Sequence, residues 1–202
     1  MPKETFNNLD PEKKRRISEA AILEFSSHSF SDASINQIVK SAGIPRGSFY
    51  QYFENKEDIY LWMSGEIAKE QEVVKSHLKP LEPGSGTFDE FLYKARVSLE
   101  LARLRPEYQQ IALFMEKDTS DFISKLRSLS SQDLERVKKL LERDKERGLI
   151  RQDVDSELVI AIVYTLTLKE YFQAGLDGDL FLKRINSIIK IIMEGIAIKS
   201  QE

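Results

Sequence analysis

Side chains that can hydrogen-bond to base edges are concentrated just after Pro45. Arg46, Ser48 and Gln51 carry donors of the kind that pair with bases in the major groove of DNA. Gly47 lies among them and, because it has no Cβ, allows the backbone to approach a ligand closely. A short segment with these residue types could read base pairs in a groove of duplex DNA.

Residues suited to phosphate contacts flank this segment. Tyr50 and Tyr52 offer hydroxyl donors, and Lys56 adds a positive charge near the start of the next helix. Ser34 and the backbone amides beside it could hold another phosphate, because a helix N-terminus attracts anions. The alternative is that any one of these side chains is an ordinary solvated surface group, as most lysines and arginines are.

The aromatic residues of the same stretch indicate how it is anchored. Phe49 and Phe53 are four residues apart and share one helix face, which we expect to be buried. Tyr50 and Tyr52 point elsewhere, so the four rings should divide into two buried anchors and two phosphate contacts. The alternative is an aromatic hinge that only packs the following helix onto the bundle.

Two short helices must position these side chains. Ser34 and Gln37 have the spacing of a capping box, and Gly43 ends the first helix after barely two turns. Pro45 then starts the second helix at once. Two helices joined by so tight a turn form a helix-turn-helix, whose second helix is presented outward. The residues expected to pack beneath the pair are Ile35, Ile38, Val39, Ala42, Ile44, Phe49 and Phe53.

Helix signals dominate the rest of the chain. Asp10 as N-cap and Pro11 at the first helical position begin a helix that precedes the pair, and Thr87 with Glu90 makes a second capping box. No segment alternates convincingly as a strand, so the predicted fold is all-α, with about nine helices. The remaining predicted helices run from about Lys56 toward Lys79, from Phe88 to about Leu104, from Pro106, from Thr119 or Ser120 to Gly148, from Ser156 to Gly175 and from Leu180 to Lys199.

Composition excludes several classes of function. The chain has no cysteine, which removes disulfides, thiolate metal sites and cysteine nucleophiles. Its two histidines, His28 and His77, lie far apart, so we expect no metal site, no cofactor and no enzymatic activity. The formal net charge of -3 means that any site for a polyanion is local. No apolar run is long enough to cross a bilayer, so we expect a cytoplasmic protein without membrane contacts.

Between about residues 10 and 60 the chain resembles the tetracycline-repressor (TetR) family of transcription regulators. The segment ASINQIVKSAGIPRGSFYQYFENKEDIY is similar to that family's pattern through the helix-turn-helix and the start of the next helix. Ile35 replaces a commoner small polar residue and Val39 stands where alanine is usual, but neither belongs to the second helix. The DNA contacts that the resemblance implies are Ser34, Asn36, Arg46, Gly47, Ser48, Tyr50, Gln51, Tyr52 and Lys56.

The resemblance also implies two domains. Residues 1–56 would form an N-terminal three-helix DNA-binding domain, with the helix-turn-helix at about 34–53, and residues 57–202 a larger helical domain for effector binding and dimerisation. The last two predicted helices have broader apolar faces than packing onto one neighbour needs. We therefore expect them to pair in a homodimer as a four-helix bundle. The alternative is that they form the core of a monomer.

A pocket for a small-molecule effector is implied by the same resemblance. Its ligand would shift the helix that begins near Lys56 and so change the separation of the two DNA-binding helices in a dimer. The alternative for each candidate is plain core packing, since aromatic and methionine side chains fill space in any bundle. The candidate lining residues are Tyr93, Tyr108, Phe114, Met115, Phe122, Tyr164, Thr167 and Tyr171.

The predicted function is a ligand-responsive, sequence-specific regulator of transcription. Its default form is a repressor that binds a palindromic operator in double-stranded DNA as a homodimer and is released by a small-molecule effector. The alternatives are a helical interaction module, or an activator without small-molecule induction. Binding that weakens steeply with salt would favour a DNA-binding protein over the interaction module.

Overall fold

The computed structural model describes residues 2–129, 131–174 and 177–196, without the side chains of 129, 131–134 and 174. No strand occurs within these residues, which confirms the all-α prediction. Gly175 and Lys199, where two predicted helices end, lie outside them. The helices of the described residues are α1 Glu4–Asn7, α2 Pro11–Ser27, α3 Ile35–Ala42, α4 Arg46–Tyr52, α5 Lys56–His77, α6 Thr87–Leu104, α7 Pro106–Lys117, α8 Asp121–Leu129, α9 Ser131–Glu146, α10 Ser156–Ala174 and α11 Gly178–Ile196.

The chain divides into two compact units. The first comprises Met1–Val74 and Leu104–Leu126, and the second comprises Lys75–Arg103 and Arg127–Glu202. The first unit thus contains most of α5 and all of α7 in addition to the helix-turn-helix. The predicted functional boundary at residue 56 stays a prediction, because a compact unit and a functional domain need not coincide.

An aromatic-rich core supports the helix-turn-helix in the first unit. There α2 packs against α3 and α7, and α1 packs against α4. Each large apolar side chain removed from water stabilises the fold by about 1.5 to 3 kcal/mol, so this core fixes the short helices more firmly than their own hydrogen bonds could. The large side chains that are almost fully buried here include Phe6, Ile17, Phe25, Ile38, Phe49, Phe53, Ile59, Met63 and Ile123.

Local signals set the ends of the helices around this core. Asp10 caps α2 by accepting hydrogen bonds from the N–H groups of Glu12 at 2.9 Å and Lys13 at 3.3 Å, and Pro11 occupies the first helical position, as predicted. Gly43 ends α3 with a φ of 63°, in the left-handed region that favours glycine. The chain can therefore turn sharply and begin α4 almost at once.

The start of α3 differs from the predicted capping box. Ser34 is the N-cap, but its side chain makes no capping hydrogen bond. Its N–H donates to Oε1 of Glu24, on α2, at 2.8 Å. Glu24 therefore takes the role predicted for Gln37, because a buried carboxylate from a packed helix is a stronger acceptor than an exposed amide on the same helix.

The start of α6 is organised by a carboxylate distant in sequence. The N–H and Oγ1 of Thr87 both donate to Oδ2 of Asp144, at 2.7 and 2.8 Å. The N–H of Gly86 donates to Asp89 at 3.0 Å. The capping box predicted from Thr87 and Glu90 is therefore shifted by one residue, since Thr87 is already inside the helix and held by Asp144.

The core of the second unit is mainly aliphatic. Its helices α9, α10 and α11 pack in sequence order, with α10 against both of the others. This packing leaves part of α10 and α11 uncovered within the unit, as described below. The buried cluster consists of Phe88, Ala95, Leu99, Leu141, Ile150, Val154, Val159, Val163, Phe181, Ile185 and Ile189.

Two kinds of feature are not found in the described part of the chain. Residues 2–129, 131–174 and 177–196 contain no group of three or more His, Asp or Glu side chains arranged to hold a metal ion. Within the same residues, no helix combines the length and the apolar character needed to cross a membrane.

Candidate nucleic-acid interface

Helix α4 has a buried side and an exposed side. Phe49 in the helix and Phe53 directly after it are both 0% exposed. Arg46, Gly47 and Gln51 are exposed. The polar residues predicted to read bases therefore lie on the solvent side of the helix, as a helix that enters a groove requires. Ser48, the fourth predicted base contact, is half-buried at the margin.

The two tyrosines of α4 are not equivalent. Tyr50 is 41% exposed, whereas Tyr52 is only 5% exposed. The Tyr52 ring packs edge-on against Phe6, with 6.0 Å between centroids, and the Lys13 ammonium lies 5.4 Å from the Tyr52 ring centroid. The prediction that only two of the four rings are buried is wrong: three are buried, because Tyr52 returns to the side of Phe49 after three residues. That Tyr52 contacts a phosphate stays a prediction, although its ring is already packed in the core.

A polar contact joins α3 to α4 on the exposed side. The Arg46 guanidinium donates through Nη1 to the side-chain oxygen of Asn36, and its Nη2 lies 3.5 Å from the Tyr50 hydroxyl. Family resemblance alone implied Asn36, and the structure brings it to Arg46. A guanidinium has five N–H donors, so these contacts orient Arg46 while leaving donors for a base edge.

Lys56 binds the loop between α2 and α3. Its Nζ donates to the carbonyl oxygens of Ser31 at 3.1 Å and Ala33 at 2.9 Å, and lies 4.8 Å from the Phe30 ring centroid. Partial burial lowers the pKa of Lys56 more than the negative charge of Asp118 raises it. An ammonium has three donors, so a phosphate bound by Lys56 would share it with these two carbonyls.

Asp118, directly after α7, binds the same loop. It is 5% exposed and accepts hydrogen bonds from the N–H of Ser31 at 2.8 Å, the Ser31 hydroxyl at 3.2 Å and the N–H of Ser120 at 2.8 Å. Burial would raise the pKa of Asp118, but the hydrogen bonds from Ser120 and Ser31 outweigh it and lower the pKa to about 2. Sequence reasoning missed this residue because a single aspartate after a helix has no distinguishing pattern.

Sequence reasoning also missed α1. Four residues are too few for a hydrophobic period to be recognised, and no capping pattern precedes them. The available signal was Phe6, a lone aromatic in a polar segment, which is 2% exposed and packs against Phe53 and Trp62 with 4.8 Å between centroids in each pair.

The eight predicted effector-binding residues are distributed over both compact units. Tyr108 is 6% exposed, and its hydroxyl donates to Glu70 at 2.8 Å. Phe122 packs against Phe30, with 4.5 Å between ring centroids, and Tyr164 is 43% exposed. Their convergence on one pocket stays a prediction. The first unit holds Tyr108, Phe114, Met115 and Phe122, and the second holds Tyr93, Tyr164, Thr167 and Tyr171.

An open groove of about 710 Å³ lies among α1, α2 and α5 of the first unit. Its walls include Trp62 and Glu66, and none of the eight predicted effector-binding residues lines it. The groove is therefore a feature separate from the predicted pocket.

The last two helices expose large apolar side chains. Ile191 on α11 is 69% exposed and Leu158 on α10 is 57% exposed. Several exposed apolar residues on neighbouring helices are typical of a surface that binds another protein. The members of this exposed set are Leu158, Ile162 and Tyr164 on α10 and Leu180, Ile191 and Met193 on α11.

Comparison with known proteins agrees with this geometry. Residues 17–62 match the family model described as bacterial regulatory proteins, tetR family. An uncharacterized HTH-type transcriptional regulator of Bacillus subtilis strain 168, YdgC, is 30% identical over 152 residues, which cover 73% of this chain and 73% of that one. The chain belongs to the TetR family. It is therefore a DNA-binding regulator and not an enzyme, as predicted.

Two further TetR-family comparisons extend beyond the helix-turn-helix. The probable acrEF/envCD operon repressor of Escherichia coli K12 is 23% identical over 157 residues, which cover 74% of this chain and 70% of that one. A TetR family transcriptional regulator from Chloroflexus aurantiacus J-10-FL superposes with a TM-score of 0.74 at 24% identity, covering 98% of this chain and 100% of that one. The second likeness shows that the TetR-like fold continues past residue 62, where the match to the family model ends.

Proposed function

We propose that this TetR-family regulator is a ligand-responsive repressor that binds a palindromic operator as a homodimer. The observation that carries the proposal is the exposed polar side of α4, where Arg46 and Gln51 face solvent above the buried ring of Phe49. Arginine can donate two hydrogen bonds to a guanine edge, and glutamine can donate one to an adenine edge while accepting another, so an exposed pair on one short helix fits the major groove.

Base contacts and phosphate contacts are assigned to different side chains. Arg46, Ser48 and Gln51 lie on the helix that would enter the groove, and Gly47, which has open space around its α-carbon, permits close approach of the backbone. The remaining predicted residues donate to the sugar-phosphate backbone, which fixes register without reading sequence. These are Ser34, Asn36, Tyr50, Tyr52 and Lys56.

Dimerisation is assigned to α10 and α11. Their exposed apolar side chains, Ile191 and Leu158 foremost, would be removed from water if the same two helices of a second copy packed on them. Two α4 helices related by a twofold axis could read half-sites one helical turn or a multiple apart. Linking the two also raises the effective concentration of the second helix at its half-site.

Release by a small-molecule effector completes the proposal. The effector would bind among the candidate residues of one unit and favour a dimer whose two α4 helices no longer match the operator. Because such coupling is reciprocal, operator DNA weakens effector binding by the same factor, and about 1 to 3 kcal/mol of coupling is enough for a switch. Repression is the sign suggested by the E. coli relative, which is named an operon repressor.

The test is a binding titration with DNA from upstream of the protein's own gene at several salt concentrations. A dimer that binds about 6 to 10 phosphates should lose affinity about 10³- to 10⁵-fold between 50 and 200 mM salt. Arg46→Ala should abolish sequence preference, whereas the control Arg96→Ala, an exposed arginine on α6, should not. Salt-independent binding, or equal effects of the two substitutions, would leave an interaction module as the better account.

A further inference from the structure

The carbonyl groups at the carboxyl end of α4 accept hydrogen bonds from residues 3–5. The N–H of Lys3 donates to the Tyr52 carbonyl at 2.8 Å, and the Lys3 ammonium donates to the Tyr50 carbonyl at 2.9 Å. The Thr5 hydroxyl donates to the Gln51 carbonyl between them. The last three carbonyls of the predicted reading helix thus all accept hydrogen bonds from Lys3 and Thr5.

The chain that follows α4 does not supply these bonds. Phe53, the C-cap, is extended with a φ of -129°, so the helix has no left-handed residue to fold the chain back onto its carbonyls. The Phe53 N–H donates back into the helix, to Phe49 at 2.8 Å, whereas the next N–H, of Glu54, donates to Asp58 at 3.1 Å. A helix of seven residues has few internal hydrogen bonds, so these end contacts are a large share of what holds its last turn.

The segment that supplies the donors is itself anchored. Phe6 is 2% exposed and lies against Tyr52 and Phe53. The ammonium of Lys14, on α2, donates to the Asn7 carbonyl at 2.6 Å. The donors of Lys3 and Thr5 are therefore held by packing and by α2, and this restricts where the end of α4 can move.

We propose that Lys3 and Thr5 are positioning residues for DNA recognition, which hold the last turn of α4 so that Gln51 keeps its place. The inference rests on the proposed function of α4. Neither side chain needs to touch a base, because each acts through a carbonyl of the helix that does. If the last turn loosens, Gln51 is no longer held in position to hydrogen-bond to a base edge, while the phosphate contacts from other elements persist. Sequence-specific affinity therefore falls and nonspecific affinity does not.

The test uses a substitution that removes one donor without changing charge. Thr5→Val keeps the shape of the side chain and removes the hydroxyl that bonds the Gln51 carbonyl. We expect the ratio of specific to nonspecific DNA affinity to fall about fivefold, in line with the loss of one exposed hydrogen bond, with an unchanged salt slope. We expect Thr5→Ser, which keeps the donor, to restore the ratio. Thr119→Val, at an exposed threonine outside α4 and α1, is the matched control.

Hydrogen exchange of the DNA-free protein separates this inference from the proposed function. In Thr5→Val the amides of residues 50–53 should exchange about fivefold faster than in the unaltered chain, and in Thr5→Ser and Thr119→Val at the original rate. Unchanged exchange in Thr5→Val would overturn the inference, and so would faster exchange with an unchanged affinity ratio. If the unaltered protein showed no preference for any DNA, the proposed function would fail, while the exchange rates would still decide whether Thr5 holds α4.

Discussion

The exposed surfaces of α4 and of the α10–α11 pair differ in polarity. On α4 the apolar side chains are buried, with Phe49 at 0% exposure, and the side toward solvent carries Arg46 and Gln51. On α10 and α11 the residues exposed to solvent include large apolar side chains, with Leu158 and Ile191 more than half exposed. A polar, partly charged surface suits a hydrated polyanion, whereas an apolar surface is best covered by another apolar surface. The difference supports the proposal that the first region binds DNA and that the other binds a second copy of the chain.

Among the described residues, Asp118 in the first unit and Asp144 in the second are buried aspartates that accept hydrogen bonds from a distant segment. Asp118 accepts hydrogen bonds from Ser31 beside the helix-turn-helix, and Asp144 accepts them from Thr87 at the start of α6. Arg143 lies 3.2 Å from Asp144, whereas the contacts of Asp118 are uncharged donors. The surroundings of both carboxylates favour the ionised form, because the hydrogen bonds that they accept outweigh burial and lower the pKa of each.

The largest expected effect is on assembly. Ile191→Glu would place two carboxylates in the proposed dimer contact, and we expect dimer affinity to fall at least about a thousandfold, or about 4 kcal/mol, because unpaired buried charges are costly. Sedimentation over a range of protein concentrations measures this. Asn186→Glu adds the same charge at an exposed position of α11 and should leave the dimer intact. A dimer unaffected by Ile191→Glu would contradict the proposal that α10 and α11 form the dimer contact.

The next largest effect concerns stability in the second unit. Asp144→Ala leaves the buried N–H and hydroxyl of Thr87 without their acceptor, so we expect a loss of about 3 kcal/mol in the free energy of unfolding. Asp144→Asn keeps an acceptor oxygen and should lose less, about 1 to 2 kcal/mol. Urea unfolding of the full chain measures both, and equal losses would show that the charge, not the acceptor, is what matters.

A smaller effect is the pH dependence of the first unit. Asp118 has a folded pKa of about 2 against an ordinary value of 3.8, so its ionised form stabilises the fold fully above about pH 4, and the contribution of about 2 kcal/mol is lost as pH falls toward 2. The difference in unfolding free energy between the unaltered chain and Asp118→Asn should therefore shrink between pH 5 and pH 2. A difference that stays constant over this range would contradict the role given to the charge.

The smallest effect distinguishes the two tyrosines of α4. Tyr50→Phe should weaken binding to every DNA sequence alike, by about 0.5 to 1 kcal/mol, because it removes one hydroxyl donor to a phosphate. Tyr52 is packed under Lys13 and against Phe6, so Tyr52→Phe, which keeps the ring, should change affinity less. Titration with one specific and one unrelated duplex measures both substitutions. A larger effect from Tyr52→Phe than from Tyr50→Phe would show that Tyr52 is the stronger phosphate contact of the two.

Much of the fold follows from the sequence because its signals are local. Asp10 with Pro11, and Gly43 with its positive φ, set helix ends that were predicted from neighbouring residues alone. The capping predictions that were wrong involve partners distant in the chain. The N–H of Ser34 donates to Glu24, and the N–H of Thr87 donates to Asp144. Periodicity cannot indicate such partners, because they are chosen by the packing of helices on one another.

The candidate site was predicted to a similar extent and for the same reason. The pattern of polar and aromatic residues placed Arg46 and Gln51 outside and Phe49 inside, as the structure has them. It failed at Tyr52, which α1 helps to bury through Phe6, and it gave no sign of the hydrogen bonds from the first residues of the chain. Helix α1 has only four residues, too few for a hydrophobic period to be recognised in the sequence.

The most direct test of the account is enrichment of bound duplexes from a random pool by the unaltered protein and by Gln51→Ala. If α4 reads DNA as proposed, the unaltered protein should enrich a palindromic site with half-sites one helical turn or a multiple apart, and the variant should change preference by about 1 to 3 kcal/mol at particular base pairs. Enrichment of no sequence, or an identical site for both proteins, would contradict the claim that the exposed side of α4 reads DNA.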